Sequence, residues 1–280
     1  MKTVETKWED KDGTTFFIQG WEPDREPKAF IGFIHGLGEH TARYSDVGKV
    51  LTDAGYILVG FDLRGHGKSG GPRGHVSSLD AYMQDIREFF YLMAERYHHI
   101  PHFLYGHSLG GLLALAYGIQ YGAGLKGVMV TGAGLRSSLQ EQKAKVALAK
   151  VLGSIMPRMT VPSGLDPATI SRDQQIVEAY KNDPLVHDSA SLGFGKAALH
   201  AIDLCFASAK EFPVPLLMIH GKADKIAFPS GSEDFAKLVR EAGGDVTFKL
   251  WDDLYHEVHN EPEKVEVFKF MIEWLDKHNI

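Results

Sequence analysis

The chain has 280 residues, 44% of them hydrophobic, with one cysteine and a formal net charge of −6. That length suits one large α/β domain or two small ones with a substantial core; the acidic balance argues against a nucleic-acid binder, which would carry a basic excess, and the lone Cys205 has no partner for an intrachain disulfide. No apolar run reaches the roughly 18 residues that would cross a bilayer, and the first ten residues lack the apolar core of a signal peptide, so a cytoplasmic location is expected.

After the Asp12-Gly13 turn, residues 14–19 are predicted to form a first strand. Two short, nearly unbroken apolar runs follow, 29–34 ending in His35-Gly36 and 56–61 ending at Asp62. Such runs, bounded by turn residues, are the mark of strands buried on both faces of a parallel sheet. Between them residues 44–54 read as a helix stopped by Gly55, and residues 79–97 carry apolar side chains at helical spacing. A strand leading into Gly106-His107-Ser108-Leu109-Gly110 comes next, then a helix from Gly111 to about Tyr121 and a strand over 125–131. From 135 to about 210 the sequence reads as helices and loops with no buried strand. The alternation resumes with a strand at 215–221, a helix at 231–241, a strand at 245–251 and a helix at 262–278. The expected architecture is α/β, a mostly parallel doubly wound sheet. Residues 1–134 and 211–280 form its core, and 135–210 an inserted helical cap.

Gly-x-Ser-x-Gly between a strand and a helix places Ser108 at the tip of a sharp, strained turn, with its hydroxyl exposed and glycines where a Cβ would crowd the backbone. A serine hydroxyl needs a base near neutral pH, and a histidine base needs a carboxylate to fix its tautomer. Asp224, just past the strand at 215–221, is the best acid, and His256, past the strand ending near Trp251, the best base. Asp252 or Asp253 as acid and His259 as base are the competing assignments. The His256/His259 spacing is one residue short of the zinc-binding HExxH pattern, so neither a metal nor any other cofactor is expected. Oxyanion donors are expected at the N–H of Leu109, heading a helix, and of Leu37 in the Gly-rich loop His35-Gly36-Leu37-Gly38.

The blocks His35-Gly36-Leu37-Gly38-Glu39-His40, Asp62-Leu63-Arg64-Gly65-His66-Gly67-Lys68-Ser69 and Gly106-His107-Ser108-Leu109-Gly110-Gly111, with Asp224 and His256, resemble the monoacylglycerol lipase and lysophospholipase-like group of α/β-hydrolases. The resemblance runs from about residue 13 to 275. It implies Ser108 as nucleophile, His256 as base, Asp224 as acid and the Leu37 and Leu109 amides as oxyanion hole. It also implies that Arg43 supports the oxyanion loop and that Tyr180, before Asp183-Pro184-Leu185, and His107 lie near a glycerol head. Some relatives carry a polar residue four positions before Tyr180; here it is Ile176. Arg64 and His66 read as loop-fixing residues.

Residues 139–159 hold a wide apolar stripe, Leu139, Val146, Leu148, Val151, Leu152, Ile155, Met156 and Met159. Over 136–160 five cations face Glu141 alone, a local excess of four positive charges. A greasy acyl channel beneath the cap, with Ile155 and Ile176 among its contacts, and a transient touch of the cap on a lipid surface are the expectations. The activity implied is hydrolysis of monoacylglycerol esters through an acyl-enzyme, with a lysophospholipase or general carboxylesterase as the alternative; the ligand is then a small lipid ester.

Overall fold

The structure, a computed structural model, describes residues 1–137 and 151–279. Eight of its strands build one sheet: β1 (Lys2–Glu9), β2 (Thr15–Glu22), β3 (Ala29–Ile34), β4 (Tyr56–Phe61), β5 (His102–His107), β6 (Gly127–Thr131), β9 (Leu216–Gly221) and β10 (Val246–Trp251). Their order is β1-β2-β4-β3-β5-β6-β9-β10. β1 and β2, and β2 and β4, pair antiparallel; the other neighbours are parallel.

Side chains alternate across this sheet. Phe30, Ile34, Leu104 and Met218 join one core with α2 (Leu79–Arg96), α3 (Leu109–Tyr121) and α6 (Pro229–Glu241). Ile31, Phe33, Tyr105 and Ile219 join the opposite core with α1 (Ser45–Asp53) and α7 (Lys264–His278). Both faces being covered is why β3 and β4 are apolar at every position rather than every second one.

The predicted strands and helices of the sheet are present, with shifted ends. α3 begins at Leu109 rather than Gly111, because the chain turns from Ser108 straight into the helix. α6 begins at Pro229, whose fixed φ and missing N–H suit a first helical turn. β1 was not expected. Its sequence Lys-Thr-Val-Glu-Thr-Lys-Trp-Glu buries only Val4 fully, as befits a charged edge strand that resists further pairing.

Between β6 and β9 the chain leaves the sheet. The described part holds the three-residue pair β7 (Thr160–Pro162) and β8 (Ser189–Ser191), α4 (Gln174–Asn182) and α5 (Leu192–Ser208). α5 packs on α3 with Cys205 against the Leu112 carbonyl. The stretch before α5 is tied to loops at the ends of β3 and β4. His187 N–H donates to Gly38, Ser191 N–H to Gly74, and His40 bonds Asp183 at 2.9 Å. This segment therefore roofs the edge of the sheet where β3 and β5 end. Among the described residues no helix is long and apolar enough to cross a membrane.

Candidate active site

β5 ends at His107, and the next residue cannot continue either strand or helix. Ser108 has φ 54° and ψ −116°, a region that costs a side-chain-bearing residue about 1–3 kcal/mol. The turn is tight enough to require glycine on both sides. A Cβ on Gly106 would come within 2.2 Å of the Gly110 carbonyl oxygen, and one on Gly110 within 2.0 Å of that of Ile34. The Ser108 N–H is anchored to the Thr131 carbonyl at the end of β6.

His256 stands on the loop after β10, with Nε2 2.8 Å from Ser108 Oγ and Nδ1 2.7 Å from Asp224 Oδ2. Asp224, on the loop after β9, also accepts the Ile226 and Ala227 amides on Oδ1. Burial alone would push its carboxyl up, but the charge and donated proton of His256 and the bond from His220 hold it well below the usual carboxylate range. Burial pulls His256 down, and the Asp224 carboxylate, with Glu257 and Glu39 nearby, more than offsets this, leaving the imidazole raised. The arrangement is that of a base polarising a hydroxyl, backed by an ionised acid.

The competing residues lie elsewhere. Asp252 is exposed and paired with Lys222, and Asp253 is exposed at a turn with φ 62°. His259 is stacked on Tyr44, its Nδ1 unpartnered, and burial pulls it down to about 4. Among the described residues no cluster suits a metal ion.

The loop after β3 runs beside the serine. A Cβ on Gly36 would sit 3.3 Å from Ser108 Cβ. The Gly36 N–H is taken by Glu39 Oε1 at 2.6 Å, and Leu37, next in line, borders both pockets that meet at Ser108. Leu109 is the first residue of α3, so its N–H has no acceptor within the helix.

The larger pocket, about 400 Å³, is mostly apolar, walled by Leu112, Leu165, Phe194, Leu199, Ile202 and Ile226. The smaller one, about 10 Å³, has the polar side chains of Glu39, His107, Tyr180, His256 and Glu257 around it, together with Leu37, Leu165 and Ile170. Arg43 spans that side, bonded to Glu39 and by two 2.8 Å bonds to Glu257, with its guanidinium 4.7 Å from the centre of the Tyr180 ring. His107 is fixed by Thr131 at 3.1 Å and sits against both His256 and His259. Burial and those two neighbouring imidazoles hold His107 well below the usual histidine range.

Two expected substrate contacts are corrected. Ile155 is 70% exposed and lines neither pocket. Ile176 packs against Ile170, Val177 and Tyr180 within the cap, because α4 turns that face inward onto its own cluster. Of the apolar stripe, Leu139, Val146 and Leu148, with Lys143, Lys145 and Lys150, lie outside the described residues. Val151, Met156 and Met159 are exposed like Ile155. The pocket walls come instead from α3, α5 and the 163–169 loop, where helical apolar spacing is indistinguishable from ordinary core packing. Glu39 and Glu257 were also missed as site residues, although Glu39 lies within a quoted motif and Glu257 follows His256. Arg64 and His66 do hold a loop: Arg64 makes two 2.6 Å bonds to Asp85, and His66 bonds the Arg64 carbonyl.

A mostly parallel sheet with a serine on a strained strand-to-helix turn, a histidine and an aspartate on later loops defines an α/β-hydrolase of the serine type. Comparison with known families agrees. The family profile Hydrolase_4, described as serine aminopeptidase S33, matches residues 25–263, and the chain belongs to that family. The chain is 34% identical to a monoacylglycerol lipase of Mycolicibacterium smegmatis over 95% of its own length and 94% of that protein's. It is 38% identical to an abhydrolase domain-containing protein of Dictyostelium discoideum over 94% of its own length, spanning only 28% of that larger protein. The crystal structure of the Paleococcus ferrophilus monoacylglycerol lipase superposes with a TM-score of 0.84 at 32% identity, covering 99% of this chain and 100% of that one.

Proposed function

We propose that this protein hydrolyses the ester bond of monoacylglycerols to fatty acid and glycerol through an acyl-enzyme. The observation that carries the reading is the position of Ser108, hydrogen-bonded to His256 at 2.8 Å and standing where an apolar cavity of about 400 Å³ meets a small pocket bordered by Glu39, His107, Tyr180 and Glu257. The apolar cavity suits an acyl chain, and the polar side chains bordering the smaller pocket supply hydrogen-bond partners for the hydroxyls of an alcohol. The names of the relatives, monoacylglycerol lipases that align over nearly their whole length, support it.

In this mechanism His256 Nε2 takes the Ser108 proton as Oγ attacks the ester carbonyl. The charge that develops on the carbonyl oxygen is met by the Leu37 and Leu109 N–H groups, each worth on the order of 3 kcal/mol of transition-state stabilisation. The imidazolium, steadied by Asp224, returns its proton to the departing glycerol oxygen. A water then enters, gives its proton to His256 and attacks the acyl carbonyl, releasing the acid and restoring Ser108. His107 and Tyr180 border the pocket for the leaving alcohol, and Arg43 holds Glu39 and Glu257 in its wall. Residues 1–134 and 211–280 act as the catalytic core and 135–210 as its cap. The exposed Val151, Ile155, Met156 and Met159 of that cap form an apolar fringe suited to transient contact with a lipid surface.

The test is a hydrolysis profile over 1-monoacylglycerols, diacylglycerols, lysophosphatidylcholine and p-nitrophenyl esters of graded chain length. Preference for monoacylglycerol is expected. Preference for lysophosphatidylcholine, or turnover of short p-nitrophenyl esters alone, would replace this reading with a lysophospholipase or a general carboxylesterase.

A further inference from the structure

Behind the acid lies a second imidazole that the mechanism above leaves unused. His220, on β9, is fully buried. Its Nε2 is 3.0 Å from Asp224 Oδ2 and 2.8 Å from the Ala227 carbonyl oxygen, and its Nδ1 is 2.8 Å from Ser232 Oγ. Both groups facing Nε2 are acceptors, so the ring proton resides there and is donated. Nδ1 then accepts the hydroxyl proton of Ser232, itself buried on α6.

The oxygen that holds the base is therefore shared. Asp224 Oδ2 receives His256 Nδ1–H at 2.7 Å and His220 Nε2–H at 3.0 Å, while Oδ1 receives two backbone amides. One carboxylate thus has a histidine and then a serine on each side: Ser108 and His256 toward the substrate, His220 and Ser232 toward α6.

We infer that His220 is a positioning residue for the reaction, clamping Asp224 Oδ2 so that its lone pair and charge are aimed at His256 and partly drawn away from it. The inference rests on the reading of Ser108, His256 and Asp224 given above. An aspartate held by one histidine alone is free to turn about its Cβ–Cγ bond, and its undivided charge binds the His256 proton more tightly. The titratable group facing His220 is Asp224, with His256 beyond it; from α6 it meets the uncharged Ser232, and across the ladder to β10 it is paired with Leu250. His256 in turn has Glu257 and Glu39 nearby and the His107 ring against it.

The experiment measures kcat, KM and the pH dependence of kcat/KM on a soluble p-nitrophenyl ester for wild type, His220→Leu, His220→Gln and Ser232→Ala. In His220→Leu kcat is expected to fall about tenfold while KM stays within about twofold. Its acid limb is expected to move to higher pH, because Oδ2 then pulls on the His256 proton alone. His220→Gln supplies an amide N–H at nearly the reach of Nε2 and restores both. A folded His220→Leu with wild-type kcat and limb, or a Gln variant as impaired as Leu, overturns the inference. Should His220→Leu fail to fold, Ser232→Ala decides: it removes only the donor to Nδ1, and an unmoved acid limb overturns the inference. A wild type that neither turns over esters nor is labelled at Ser108 by a fluorophosphonate would instead fail the functional reading itself.

Discussion

Replacing Arg43 by methionine keeps the bulk of the side chain and removes the charge between two buried carboxylates. Arg43 is bonded to Glu39 and doubly to Glu257, which are 3% exposed each. Burial by itself pushes the Glu257 carboxyl up; Arg43, with Asn260 donating to Oε2, brings it down from 4.5 to about 2. That shift corresponds to about 3 kcal/mol of folding stability at neutral pH. The folded pKa lies below the unfolded one, so in the wild type this contribution is complete above about pH 4.5 and is lost as pH falls towards 2. In Arg43→Met the burial that remains raises the folded pKa above the unfolded value. Glu257 then destabilises the fold at neutral pH, and acidification relieves the penalty by protonating it. Urea unfolding, followed by tryptophan fluorescence at a series of pH values, should give a loss of about 3–5 kcal/mol near pH 7. The loss should shrink steadily as the buffer approaches about pH 4. A difference between the two proteins that is constant from neutral to acid pH, or smaller than about 1 kcal/mol, would refute the argument that this arginine neutralises buried charge.

Three further outcomes follow from the site. Ser108→Ala and Ser108→Gly should both abolish ester hydrolysis; the glycine variant should also gain about 1 kcal/mol in thermal unfolding, since φ 54° no longer opposes a Cβ. Turnover near the wild-type rate in either variant would remove Ser108 as nucleophile. His256→Ala should be as inactive as Ser108→Ala, whereas His259→Ala, whose ring is stacked on Tyr44, should keep most of kcat and lose stability instead; steady-state kinetics on both variants checks the ranking, and the reverse order would move the base to His259. Gly195 lines the apolar cavity, and among the described residues no atom beyond its chain neighbours and its own helix backbone lies within 4 Å of where its Cβ would be. Gly195→Leu should therefore cut kcat/KM for long-chain monoacylglycerols by roughly tenfold and spare short-chain p-nitrophenyl esters, the loss of about 1.4 kcal/mol of transition-state binding. Equal loss on both substrates would argue against this cavity as the acyl site.

The parts legible in the sequence were those written in local code. Apolar runs closed by turn residues fix a strand wherever both faces are covered, as at β3, β4 and β9. Gly106 and Gly110 announce a turn that no other residue fits. β1 was not legible because an edge strand with Lys2, Lys7 and Glu9 alternates too weakly to differ from a solvated tail, and only its ladder to β2 makes it a strand. The departure of the chain from the sheet between β6 and β9 was legible as a break in the alternation, but not the facing of the side chains there. Ile155 and Ile176 are both isoleucines at helical spacing, and nothing local in the sequence separates the one that faces solvent from the one that packs on the Ile170, Val177 and Tyr180 cluster.

The polar side of the site shows why local code stops there. Arg43 is 214 positions from Glu257, and His220 and His256 reach one oxygen of Asp224 from different strands' ends. Nothing local in the sequence pairs Arg43 with Glu257 or His220 with Asp224, and burying a charged member of either set unpaired would cost several kcal/mol. They become tolerable only as sets whose donors and acceptors balance, with Arg43 between Glu39 and Glu257 and Asp224 between His256 and His220. That mutual dependence separates the two kinds of residue around Ser108. A substitution in the apolar wall, such as Gly195→Leu, changes which substrate fits, whereas one in either polar set also leaves a buried partner unsatisfied and is felt first in the stability or the pH dependence of the enzyme.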